Sequence, residues 1–228
     1  MTTRTDEATL ESEIFCQFSG EAEQFQVLNG GVGQGVPLGV SRTGRAVRAQ
    51  LLAPVPTRIV VVGDAQLASI LTIRAAVLGA TVVIATERPA PWNLLVQTVA
   101  GEQPFATVTR PDSLSLPAAT IAAPLLVLHD SSAVASESVL ARSAWQTSLH
   151  LVFRLNAQLS SLLESSDLTL LPRPPADEVA ATLELLRLPP ALATGLERMT
   201  ENEYLAITRN RAQFVRIEPT ATEQSILR

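Results

Sequence analysis

The run Arg58–Thr86, RIVVVGDAQLASILTIRAAVLGATVVIAT, narrows the possible fold more than any other part of the chain. Ile59–Val62 is a β-branched strand, and Gly63-Asp64 breaks it. From Leu67 the apolar period changes: Leu67, Ile70, Leu71, Val77 and Leu78 recur at helical spacings, with Arg74 at the edge of the stripe. Gly79 stands where a helix C-terminus favours a left-handed residue, and Thr81–Ala85 is again a continuous strand-forming run. Two apolar strands joined by an amphipathic helix make a βαβ unit, which demands parallel strands and a covered sheet.

The flanking sequence extends this unit. Val36–Leu51 has the pattern of a β-hairpin turning at Arg42-Thr43-Gly44, and Ala53-Pro54-Val55-Pro56 stiffens the approach to the first long strand. Downstream, a helix is expected over Trp92–Ala100 and strands at Phe105–Thr109, Leu125–Leu128, Ser148–Phe153 and Leu168–Leu171. Asn156 is placed to cap a helix, and Val179, Leu183 and Leu186 give another helix its buried stripe. Glu203–Thr208 and Gln213–Ile217 form a closing hairpin. The expected fold is α/β and Rossmann-like: a mostly parallel sheet flanked by helices, with one hairpin before the first βαβ unit and another near the C-terminus. Residues 1–20 form an acidic tail, 21–218 a single α/β domain (hairpin over 36–55, βα units over 56–218), and 219–228 a C-terminal tail.

Composition removes several function classes. The net charge is −5 and all 17 basic residues are arginine, so there is no basic footprint for nucleic acid and no lysine for a phosphate loop. One cysteine, Cys16, with two histidines cannot assemble a zinc site of cysteine and histidine ligands. The N-terminal residues MTTRTDEATLESE are the opposite of a signal peptide. The longest uncharged stretch, Ser113–Leu128, is interrupted by Pro117 and Pro124 and does not form a membrane span. A soluble chain is expected.

Each candidate for chemistry has a structural alternative. Asn29–Gly35, NGGVGQG, lacks the dinucleotide spacing: Val36 stands at the final glycine position and Pro37 follows, so a linker is expected. Gly39–Gly44, GVSRTG, places Ser41 in a hairpin turn rather than in a nucleophile elbow. The Gly63-Asp64 turn ends a strand and opens a helix, where α/β sheets bind ligands. It has one glycine and no lysine, and Asp64 is expected to cap the helix with its own carboxylate. Glu87 closes the next strand where a ribose-binding acid would sit, but without the glycine fingerprint it is expected to be a loop residue. His129-Asp130 with Ser131 and Ser132 contains the residue types of acyl chemistry, but neighbours on an extended chain point opposite ways. His150 is expected inside a strand, and Arg209, Arg211 and Arg216 as a charged, solvated sheet edge. No residue is assigned a catalytic, cofactor-binding or metal-ligating role, and no cofactor is expected.

Pro37-Leu38-Gly39, the hairpin, Gly63-Asp64-Ala65-Gln66, Arg74-Ala75-Ala76 and Gly79-Ala80 leading into Thr81-Val82-Val83 together resemble EccE, a core component of the actinobacterial ESX (type VII) secretion system. The resemblance covers Val36–Val108. It implies a non-enzymatic domain docking onto EccD, EccB and EccC at the cytoplasmic face of the cell membrane, with no nucleic-acid partner, and self-association is kept among the expected contacts. EccE proteins usually begin with transmembrane helices, and no such stretch stands in this sequence. The element order is also similar to FtsK-like translocation ATPases, which would imply a degenerate module without hydrolysis. A Rossmann-like enzyme using a nucleotide cofactor is the remaining alternative.

Overall fold

In the computed structural model the described residues are 16–17, 35–99, 104–130 and 143–228. The expected linker Asn29–Gly35 apart from Gly35, the rest of the N-terminal tail, and Ser131 and Ser132 lie outside them. The first βαβ unit forms as expected: β4 (Thr57–Val62), α1 (Ala65–Val77) and β5 (Thr81–Thr86). It is preceded by β1 (Cys16–Gln17) and the hairpin β2 (Val36–Ser41) and β3 (Ala46–Ala49). After it come α2 (Pro89–Val99), β6 (Ala106–Thr109), β7 (Leu125–Asp130) and β8 (Gln146–Val152). The chain continues through α3 (Ser160–Glu164), β9 (Leu168–Leu171), α4 (Val179–Leu185) and α5 (Ala193–Glu197). It closes with β10 (Glu203–Thr208), β11 (Arg211–Arg216) and α6 (Ala221–Ile226).

These strands make one sheet in the order β3-β2-β11-β10-β9-β4-β8-β7-β5-β6, with β1 on β11. The half from β9 to β6 is parallel, and β10, β11, β2 and β3 continue it antiparallel. The strands β4, β5 and β7 of the parallel half are buried on both faces, so their sequences are near-continuous apolar runs rather than alternating ones. Ile59 and Val61 belong to one core with Leu67, Ala68 and Leu71 of α1 and Trp92 and Leu95 of α2. On the opposite face Val60 and Val62 pack with Leu159, Leu162, Val179, Leu183 and Leu196.

The hairpin β2–β3 belongs to the first of these cores, since Val36, Leu38, Val47 and Ala49 join it. Gly39 allows its approach: a Cβ there would lie 1.9 Å from the carbonyl oxygen of Arg216 on β11.

Besides Cys16–Gln17, read within the N-terminal tail but paired with β11 as β1, two expectations are corrected. Residues 219–228, read as a tail, contain α6, which has a complete capping box between Thr220 and Glu223. Glu223 reaches back to Arg74 with contacts of 2.7 and 2.9 Å, and Arg74 also donates to the carbonyls of Pro37, Leu38 and Glu218. The short polar helix is kept in place by this buried ion pair, which composition could not reveal. The second correction concerns Val77 and Leu78, assigned to the buried stripe of α1. They are 80% and 51% exposed, although Ala75 in the same turn is fully buried.

Candidate functional site

Open α/β sheets bind ligands beyond the carboxyl ends of their strands, where consecutive connections leave on opposite faces. Here that point lies between β4 and β8: α1 leaves β4 on one face, and α3 leaves β8 on the other. Gly63 stands at its mouth with φ of +68°. Its amide donates to the carbonyl of Val152 at 2.7 Å, so the backbones of the two strands stay joined past their ends.

The connection from β4 to α1 is only Gly63-Asp64. Asp64 adopts extended backbone geometry, and its Oδ1 accepts from the amide of Leu67 at 2.8 Å, as the sequence led us to expect. Its other oxygen, Oδ2, accepts from the hydroxyl of Tyr204 on β10. Burial pushes the Tyr204 phenol far up, and the hydrogen bond to Asp64 and the Asp64 charge add to the effect, so it stays a donor. The turn therefore holds a carboxylate bonded through both oxygens. A phosphate placed there would meet that charge at a helix end whose amide at Leu67 is already bonded.

A second group sits at the ends of β5 and β7. The Asp130 side chain is fully buried and accepts from Arg88 Nη2 at 2.7 Å, Trp92 Nε1 at 2.6 Å and Thr86 Oγ1 at 3.0 Å. Arg88 lies over the ring of Phe153, 4.5 Å from its centre, which carries the contact across to the end of β8. Asp130 thus accepts three hydrogen bonds, two on Oδ2 and one on Oδ1, which fix it as a buried structural acceptor. Glu87 is exposed beside this group. It is not drawn into a site with Gly63.

His129 and His150 sit side by side on β7 and β8, stacked with ring centres 4.8 Å apart. Burial lowers His129 to about 4 and His150 to about 3, with the charges of His129 and Arg58 contributing to the latter. Both rings are neutral at pH 7, and both Nε2 atoms are buried without a hydrogen-bond partner. His129 lies on the sheet face opposite to Asp130, so the pair is not assembled with that carboxylate. Ser41 is a turn residue, accepting from the amide of Arg45. Arg209, Arg211 and Arg216 lie on the last hairpin, but the sheet edge expected there is corrected: β11 runs between β2 and β10, with Arg211 half-buried and Arg209 and Arg216 exposed, Arg216 pairing with Glu218. Among the described residues no group of three or more histidine, cysteine or acidic side chains could hold a metal ion.

Sequence reasoning found the Asp64 cap because it is local. It missed the partners of Asp64, Asp130 and Arg74, which lie far along the chain. One weak signal was available: Arg88 and Trp92 are donors four residues apart on the way into α2.

No protein-family model matches the sequence, and no curated protein matches it significantly. Among solved structures the fold is similar to VirB4 of Thermoanaerobacter pseudethanolicus, with a TM-score of 0.56 and 10% identity over 83% of this chain and 98% of that one. A second match is the genome packaging NTPase B204 of Sulfolobus turreted icosahedral virus 2, in complex with sulfate, with a TM-score of 0.46 and 8% identity over 73% of this chain and 98% of that one. At these identities the likeness to VirB4 is one of fold: a mixed α/β domain with a mostly parallel central sheet flanked by helices.

Proposed function

We propose that this chain is a non-enzymatic interaction component of a type VII (ESX) secretion system, an EccE-like domain that docks onto other core proteins at the cytoplasmic face of the membrane. The observation that carries the non-enzymatic half is the Gly63-Asp64 turn, where the strand-to-helix connection is too short to wrap a phosphate and already holds a carboxylate. The EccE half rests on the resemblance, and one contact supports it. Two of its segments touch, since Arg74 of Arg74-Ala75-Ala76 donates to the carbonyls of Pro37 and Leu38 in Pro37-Leu38-Gly39, each at 2.8 Å. Motif residues that hold one another across the fold are what a shared architecture would preserve. Among the described residues no helix is long and apolar enough to cross a membrane, consistent with a peripheral position.

Co-purification with EccB, EccC and EccD tests this reading, and failure to associate with any of them would overturn it. A second reading is a degenerate ATPase module, or a Rossmann-like domain that keeps a nucleotide cofactor. The position of Gly63 at the switch point of the sheet favours it. A thermal-shift screen with ATP, NAD(P), flavins and S-adenosylmethionine separates the two. A cofactor at a hundred times its dissociation constant would add about 2.7 kcal/mol to stability, and the docking reading expects no shift with any of them.

A further inference from the structure

On the sheet face that carries Val60, polar side chains of three adjacent strands stand in one block. The parallel register sets Arg58 of β4 beside Ser148 of β8, and His150 of β8 beside His129 of β7. Strand alternation puts all four on the face of Val60 and Val127. Ser148, His150 and His129 are 0%, 3% and 6% exposed. The Ser148 Oγ, both histidine Nε2 atoms and the Arg58 Nε are buried without a hydrogen bond to the protein. Native interiors rarely leave one such atom unmet, and a block of them calls for a shared partner.

Charge narrows what that partner is. The half-buried Arg58 guanidinium donates from Nη1 to the carbonyl of Ser165 at 3.3 Å, and among the described residues it pairs with no carboxylate. Asp167 accepts instead from the backbone amide of Arg58, at 2.8 Å. A cation drawn from water without a counter-charge is costly. It stands close enough to His150 for its charge to help lower that ring's pKa. Arg58 can only donate, the Ser148 hydroxyl can donate, and a neutral imidazole donates when its proton sits on Nε2. A metal ion would need lone pairs from all of them and would meet the guanidinium charge. An anion takes every one of these donors and supplies the missing charge.

We propose that Arg58, Ser148, His150 and His129 bind a small monovalent anion of halide size on this face, between β4, β8 and β7. The near-complete burial of Ser148 and both histidines restricts the ligand to an ion of that size and leaves no place for a nucleotide phosphate. The site is separate from the Gly63-Asp64 turn, which lies at the other end of β4. This inference stands apart from the secretion reading and from the nucleotide alternative.

Urea unfolding of the full chain in sodium chloride and in sodium gluconate, at equal ionic strength and neutral pH, tests it. Chloride should raise the midpoint relative to gluconate, which is too large to enter. Above the dissociation constant each tenfold rise in chloride should multiply the folding equilibrium constant about tenfold. Ser148→Ala and Arg58→Gln should each remove most of this increment. Arg209→Gln, at an exposed arginine between β10 and β11, should leave it unchanged. In crystals grown with bromide, an anomalous peak should lie within hydrogen-bonding reach of Ser148 Oγ. Equal midpoints in chloride and gluconate overturn the proposal. So does an increment that Ser148→Ala and Arg58→Gln both retain, or one that Arg209→Gln removes equally. Bromide crystals without a peak at Ser148 overturn it as well, even if neither core variant folds.

Discussion

At the scale of single residues, Asp64 has two tasks, closing the helix and receiving the Tyr204 hydroxyl. Tyr204→Phe should cost roughly 1–2 kcal/mol, because a partly buried carboxylate oxygen loses its donor. Asp64→Ala should cost more, through the lost cap as well as the orphaned phenol. The double variant should cost less than the sum of the two. Urea unfolding of the four proteins measures this, and strict additivity would mean that the two groups are not coupled.

His129 and His150 make a pH prediction. Their folded values, about 4 and about 3, lie below the unfolded value of about 6.5. Below pH 6.5 the unfolded chain binds protons that the folded chain refuses, so stability is complete above that point. It falls as pH drops toward the folded values. Glu203 and Glu223 act later. Burial raises both, but for Glu203 the Arg42 hydrogen bond and for Glu223 the Arg74 hydrogen bond, each with backbone and charge contributions, outweigh it. Both carboxyls thus sit below their ordinary value, and their contribution is lost only in more acidic solution. Urea midpoints should therefore decline between pH 6.5 and 5, and His129→Gln with His150→Gln should flatten that decline. A wild-type midpoint constant from pH 7 to 5 would contradict the account.

At the scale of elements, the decisive unit is the Arg74–Glu223 pair, with side chains 13% and 8% exposed. It joins α1 to α6, and Arg74 also binds the β2 backbone. Removing one partner leaves a buried charge unpaired, so Arg74→Ala should cost on the order of 3–5 kcal/mol. Removing residues 219–228 should cost a comparable amount by equilibrium unfolding, since it strips the same guanidinium of its partner. Unchanged unfolding after that truncation would make α6 an appendage. The elements themselves were mostly legible: β4, α1 and β5 are announced by a change of hydrophobic period over neighbouring residues. The helix α6 was not, because besides its capping box it is anchored by distant groups, the Arg74 guanidinium 149 positions away and the core under Ile226 and Leu227. The burial of Val77 and Leu78 was misread for a related reason: periodicity gives a helix its apolar side but not how far along it burial extends.

At the scale of the whole molecule, the sequence implied parallel strands through the crossover helix, but not their order. Placing β9 beside β4 depends on a pairing between segments 109 residues apart along the chain, and the antiparallel β10 reaches β9 only across α4 and α5. No local pattern encodes these. The candidate site shares the division. The Asp64 cap could be read from the sequence, while the Tyr204 and Asp130 contacts that fill the carboxyl end of the sheet appear only once β10 and α2 are in place.

The shortness of the β4–α1 connection also bears on what this scaffold could become. Exchanging side chains at Gly63 and Asp64 would leave the backbone pinned to Val152 and the two-residue connection too short to wrap a phosphate. Gaining a nucleotide would take inserted chain before α1 together with removal of the Tyr204 hydroxyl. Point substitutions at the turn should alter how firmly this domain is built long before they give it a new ligand.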